Sequence, residues 1–224
     1  DTHAHLYSED PTAYPRILAP YLPEPGPATI EDLQREVRAN HVDRVVAVQT
    51  FTVYRHDNSL ILDAVRANRA WMTGVLNADP FDPRVVELLE RAVALGVRGN
   101  RVHGWPADGT VLPEHRRLWQ EARRLQMVNC ALLGPTNCAS LARLLEEFPD
   151  VVSILDHCAN LSSADASDSE SLRVVLGMAR YPNLFAKLSF LVTGSSDEFP
   201  CRDIHGVARR VIDAYGPGRC MWGS

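Results

Sequence analysis

Nowhere does the chain hold the ~20 consecutive apolar residues that a membrane-spanning helix requires, and no signal-peptide pattern opens it. No C-x-x-C pair occurs. The five cysteines (Cys130, Cys138, Cys158, Cys201 and Cys220) are odd in number, and several lie in apolar, strand-like runs. A disulfide framework and a cysteine-type zinc site are therefore not expected, and a reducing cytoplasm fits best. No G-x-G-x-x-G or Walker-type glycine loop follows the first strand, which argues against a nucleotide-binding doubly wound fold. The net charge of −5 lacks the basic surplus that would point to nucleic acid or a membrane surface. Low-complexity stretches and internal linkers are also missing.

What the chain does have is 224 residues, 46% of them hydrophobic and 23% charged, as in an ordinary folded protein. Short apolar, strand-like runs recur from end to end, at 1–6, 44–51, 72–77, 96–103, 127–134, 151–157, 184–189 and 219–224. Their composition suits strands buried on both faces. Amphipathic helices are expected between them. "TIEDLQREVRANH" opens on Thr29 as N-cap, with Asp32 three residues on. "PRVVELLERAVALG" places Pro83 in a first turn and Gly96 just past the last. Five further segments, from "NSLILDAVRANRA" to "DIHGVARRVIDAYG", carry apolar residues at three- and four-residue spacing. Two loops are unusually long, the Pro-rich stretch 11–27 and the stretch 158–168.

Eight strands alternating with seven helices imply parallel pairing through right-handed crossovers. At this length the pattern predicts a single α/β domain over 1–224, a (β/α)8 TIM barrel, distorted and without its last helix. The segment reads as cut short.

In such barrels the active site gathers at the carboxyl ends of the strands. His3 and His5 lie there on the first strand, on one face and about 7 Å apart at ~3.3 Å rise per residue. Gln49, Asn77, Arg101 with His103, Asp156 with His157, and Lys187 with Ser189 close later strands. A buried arginine or lysine needs a partner or a wet cavity. Arg101 and Lys187 are thus candidates for holding an anionic substrate, with core ion pairing as the alternative. Gln49, Asn77 and His103 are candidate substrate contacts or core hydrogen-bonders. Arg55, His56 and Asp57 could rim a site. His41, His115 and His205 fall in helices and read as surface or packing histidines.

The H-x-H of the first strand, "LDH" ending the sixth, "AKLS" on the seventh and "AYGPGRCMWGS" leading into the eighth resemble the amidohydrolase superfamily. More narrowly they resemble its amidohydrolase-2 branch, and "VVAVQ", "DNSLILDA", "GVRGNR" and "FPDVVSILDH" follow in the matching order. The resemblance implies a TIM-barrel hydrolase with one divalent metal, Zn²⁺ first and Mn²⁺ next, on His3, His5 and His157. The strands that would supply a bridging lysine or a further histidine lack them, so a two-metal centre is not expected. Metal-free catalysis by the same histidines and arginines remains open. The final family motif runs "GSD", so the residue after Ser224 is expected to be the catalytic aspartate.

The activity implied is opening of a lactone, or of another ester or amide, in a small anionic substrate. His157 and Arg101 would be catalytic, and Lys187, Gln49, Asn77 and His103 would bind substrate. A decarboxylase or hydratase on the same barrel is the alternative, followed by a catalytically silent binding barrel. Neither nucleic acid nor membrane is an expected partner, and oligomeric state is not readable.

Overall fold

The computed structural model describes residues 1–17 and 28–223, so most of the Pro-rich stretch 11–27 and the terminal Ser224 lie outside the described residues. The described chain falls into two units, Asp1–Arg101 and Val102–Gly223.

In the first unit, helix α1 (Ile30–Ala39) precedes strand β1 (Val45–Val48), and a short helix α2 (Phe51–Tyr54) leads to α3 (Ser59–Ala67). Strand β2 (Met72–Leu76), helix α4 (Val85–Leu95) and strand β3 (Gly99–Val102) follow, the last residue of β3 opening the second unit. Thr29 caps α1 as expected, in a reciprocal capping box with Asp32. Gly96 ends α4 at φ 104°, where its amide bonds the Ala92 and Val93 carbonyls. A side chain there would meet both strain and the Arg69 stem. β1 pairs parallel with β2 (Val45 opposite Met72), and β2 with β3 (Val75 opposite Gly99). α3 lies close on β2 because Gly74 has no side chain; a Cβ would stand 2.9 Å from Val65 Cγ2. Ala47, Leu76, Ile61, Val65, Leu89 and Ala92 are buried between strands and helices.

In the second unit, α5 (Pro113–Leu125), β4 (Val128–Ala131), α6 (Cys138–Glu147) and β5 (Ser153–Leu155) alternate. Then come α7 (Glu170–Gly177), β6 (Leu184–Lys187), a short α8 (Leu191–Gly194), α9 (His205–Tyr215) and β7 (Cys220–Met221). β4, β5, β6 and β7 pair parallel in that order, with Asn129 opposite Ser153 and Leu155 opposite Ala186. Pro113 occupies the first turn of α5, where its missing N–H is harmless. Trp119, Leu141, Leu144, Leu155, Leu184 and Val211 form the buried interior, each worth roughly 1.5–3 kcal/mol of transfer free energy as an upper bound.

The class is the predicted α/β one, with parallel strands and intervening helices of TIM-barrel type. Two of the expected strands shrink. The stretch 1–6 contributes one parallel bridge, Ala4 opposite Ala47, while the His3 amide turns to the Asp1 carboxylate at 2.8 Å. At the other end only Cys220–Met221 pairs, since Pro217–Arg219 wind into a 3-10 turn. Seven strands are therefore named among the described residues where eight were expected. No helix of the described residues is long and apolar enough to cross a membrane, and all five cysteines are free thiols.

Candidate functional site

Alternate residues of an ideal strand keep their side chains about 7 Å apart. His3 and His5 do better than that. The Asp1–Leu6 stretch is only loosely bridged, so the two rings lean together edge-to-face with centroids 4.7 Å apart, and their Nε2 atoms stand 3.2 Å from each other. His5 Nδ1 lies 2.7 Å from the Val48 carbonyl at the end of β1. A carbonyl only accepts, so Nδ1 carries the hydrogen, and in the neutral ring the lone pair falls on Nε2. Arg101, on β3 and 4% exposed, brings its Nη2 to 3.4 Å from His3 Nε2. A guanidinium only donates, so His3 Nε2 accepts through its one lone pair, the same pair a bound cation would take in its place.

Two imidazole nitrogens bound at ~2.0–2.1 Å to one tetrahedral cation would be roughly 3.3 Å apart. The observed separation matches, and the Val48 carbonyl supplies the outer hydrogen bond that orients a ligating histidine. The pair therefore suits two corners of a divalent site. Among the described residues no group of three histidine, cysteine or carboxylate side chains is gathered tightly enough to hold a metal.

Gln49 and Asn77 are also in the first unit, buried, and occupied with the backbone. Gln49 donates to the Asp57 carbonyl, and Asn77 Nδ2 donates to the Gln49 carbonyl at 2.8 Å. Asn58 clamps Asn77 through both main-chain groups, accepting from its N–H at 2.7 Å and donating to its carbonyl at 3.0 Å. His56 Nδ1 adds a second bond to that carbonyl, at 3.2 Å. These bonds tie together the loops after β1 and β2.

In the second unit β5 stops at Leu155, and the chain enters a left-handed turn. His157, Cys158, Ala159 and Asn160 have φ of 51°, 47°, 58° and 59°. None is glycine, and each such residue costs roughly 1–2 kcal/mol. His157 Nδ1 lies 2.8 Å from the Ser189 hydroxyl, just beyond β6. Lys187, the single lysine of the chain, pairs with Asp156 at 2.7 Å, their side chains 1% and 0% exposed. The cation expected to meet a substrate carboxylate is thus satisfied by a buried carboxylate of its own unit.

His103 serves through its carbonyl, which accepts from His115 Nε2 at 3.1 Å. His115 is fully buried against Trp105, ring centroids 4.7 Å apart, and burial pushes its imidazole below the ordinary histidine range. His41 and His205 are exposed. Sequence reasoning missed the partners: Asp156 for Lys187, Asn58 for Asn77, Ser189 for His157. The only signal available was that Asp156 and Ser189 follow strands; Asn58, at the N-cap of α3, gave none.

A comparison with curated proteins found no match. Among solved structures, a probable 2-pyrone-4,6-dicarboxylic acid hydrolase from Acinetobacter baumannii, with citric acid bound, superposes with a TM-score of 0.82 at 18% identity, over 100% of this chain and 82% of that one. An amidohydrolase from Burkholderia multivorans with zinc bound gives 0.81 at 19%, over 100% and 82%. A 2,6-dihydroxybenzoate decarboxylase from Rhizobium gives 0.61 at 15%, over 88% and 77%. These likenesses show a shared fold. The family model described as amidohydrolase matches residues 1–224 throughout, in keeping with the paired histidines that open the chain, and the protein belongs to the amidohydrolase-2 family.

Proposed function

We propose that the protein is a hydrolase that opens a lactone, or another ester or amide, of a small carboxylated molecule with activated water. The observation that carries this reading is the 3.2 Å approach of the His3 and His5 Nε2 atoms with the Arg101 guanidinium beside them. Membership of the amidohydrolase family supports a hydrolase, and the named ligands of the similar structures, citric acid among them, support a carboxylated substrate.

His3 and His5 would hold one divalent cation, Zn²⁺ first and Mn²⁺ next, and a zinc-bound similar structure supports that choice. When bound, such a cation polarises a carbonyl and lowers the pKa of water. The chain's own residues do the rest. Val48 fixes the His5 tautomer through Nδ1. Arg101 offers a buried, permanently charged fork that suits a carboxylate or a developing oxyanion. His157 of the second unit is the catalytic imidazole, its Nδ1 beside the Ser189 hydroxyl.

The test is turnover of a panel of carboxylated lactones with added Zn²⁺ or Mn²⁺ and after chelation, together with His3→Ala. Lactone opening that His3→Ala reduces at least 100-fold supports the reading. The reading falls if no lactone turns over and His3→Ala leaves every detected activity intact. Release of CO2 from a carboxylated substrate without lactone opening would replace it with the lyase.

A further inference from the structure

Each imidazole has two nitrogens, and which one reacts is decided by what holds the other. In the second unit the group that holds His157 Nδ1 is the Ser189 hydroxyl, at 2.8 Å. We propose that Ser189 is a positioning residue that reserves Nδ1 of His157 and assigns the chemistry of that ring to Nε2; this rests on the reading of His157 as catalytic.

The contact is built, because both of its ends are fixed by other bonds. On the His157 side, the left-handed turn is tied down at every other residue. Asp156 is ion-paired with Lys187, Cys158 donates its thiol to the Lys187 carbonyl at 3.3 Å, and Asn160 donates to the Leu133 carbonyl at 3.3 Å. On the Ser189 side, β6 runs in register with β5 (Leu155 opposite Ala186), and the Leu188 amide bonds the Met221 carbonyl at 2.8 Å. Each end is therefore immobilised within one or two residues of the hydroxyl–imidazole bond.

The left-handed turn itself points to a purpose. Four consecutive non-glycine residues at positive φ persist only where the surroundings impose them. An extended continuation of β5 would send the residue-157 side chain along the strand's alternation. The reversed hand instead sets the ring against the residue two beyond the Lys187–Asp156 pair. A hydroxyl can accept from Nδ1–H or donate to a bare Nδ1. Each geometry pairs with one tautomer, and either one removes Nδ1 from competition and leaves Nε2 to react. A purely structural serine would hold the turn without selecting a tautomer, which is the difference an experiment can read.

The experiment labels histidine rings with ¹⁵N in the protein as purified and assigns the His157 signals by their loss in His157→Gln. The expected result is one fixed tautomer in the unaltered protein, averaging between both in Ser189→Ala, and restoration in Ser189→Thr. Ser189→Ala should also lose about 10–100-fold in kcat, with KM within about twofold, and Ser189→Thr should recover most of it. An unchanged His157 tautomer signature in Ser189→Ala overturns the proposal, whatever happens to turnover. If the tautomer changes but His157→Gln retains full activity, the positioning contact stands and the catalytic role of His157 falls.

Discussion

Lys187 Nζ lies 2.7 Å from Asp156 Oδ1, and both side chains are shut away from solvent. A lysine closing a barrel strand invites assignment to the substrate, yet this one already has its anion. Removing either member alone leaves an uncompensated buried charge. Lys187→Met or Asp156→Asn should each lower the unfolding free energy by about 3–5 kcal/mol. The double variant Lys187→Met/Asp156→Leu should recover much of that loss. Urea unfolding of the three variants measures it. A substrate-binding lysine would instead raise KM and leave the unfolding midpoint where it was.

Arg101 faces the opposite test. Its guanidinium stands beside His3 Nε2, and the proposed substrate carries a carboxylate. Arg101→Gln should reduce kcat/KM for a carboxylated lactone by about 10–100-fold, the equivalent of ~1.5–3 kcal/mol for a hydrogen bond to a charged group. Arg101→Lys should rescue little, since a point charge does not replace a planar fork. Steady-state kinetics on a carboxylated lactone and its neutral analogue separate the effects. Equal losses on both would remove Arg101 from carboxylate recognition.

Much of the architecture could be read from the residues. The apolar runs marked β1 to β6, and the Thr29–Asp32 box and Gly96 marked helix ends, because these are local signals; Pro83, expected in a first turn, instead lies just before the Arg84 N-cap of α4. His3 and His5 were legible as a pair for the same reason: spacing alone places them together. What was not legible depends on distant partners. No local rule tells that Asn58 claims both main-chain groups of Asn77, or that Asp156 claims Lys187. The turn at 157–160 is the extreme case, since no glycine announces its reversed hand. His115, grouped with surface or packing histidines, proves to be buried; its helix position gave no clue to the Trp105 ring over it.

Asn77 provides a check on that distinction. Its side-chain amide donates to the buried Gln49 carbonyl at 2.8 Å. Asn77→Ala should cost about 1–3 kcal/mol of stability, the penalty for stranding a buried polar group. Thermal and urea unfolding read that loss directly. A fall in turnover with unaltered stability would return Asn77 to the substrate.

His115 gives the fold a pH dependence of defined sign. Burial depresses its folded-state pKa below the ordinary value, so between the two the unfolded chain holds more protons than the folded one. Stability is fully present above about pH 6.5 and falls as acidification carries the protein down through that window. His115→Gln keeps a donor for the His103 carbonyl and removes the titration. The urea midpoint of His115→Gln should change less than that of the unaltered protein between about pH 7.5 and about pH 5. Identical slopes would clear His115 of the effect.

The reversed turn after β5 bears on how the second unit directs its imidazole. Local preference opposes the hand of residues 157–160, so short-range structure in the unfolded chain does not rehearse it. The contacts that hold it come from Lys187 and Ser189 at the end of β6 and from the Leu133 carbonyl beyond β4. The sequence alone thus supplies the imidazole, whereas its direction is owed to residues about thirty positions further along the chain.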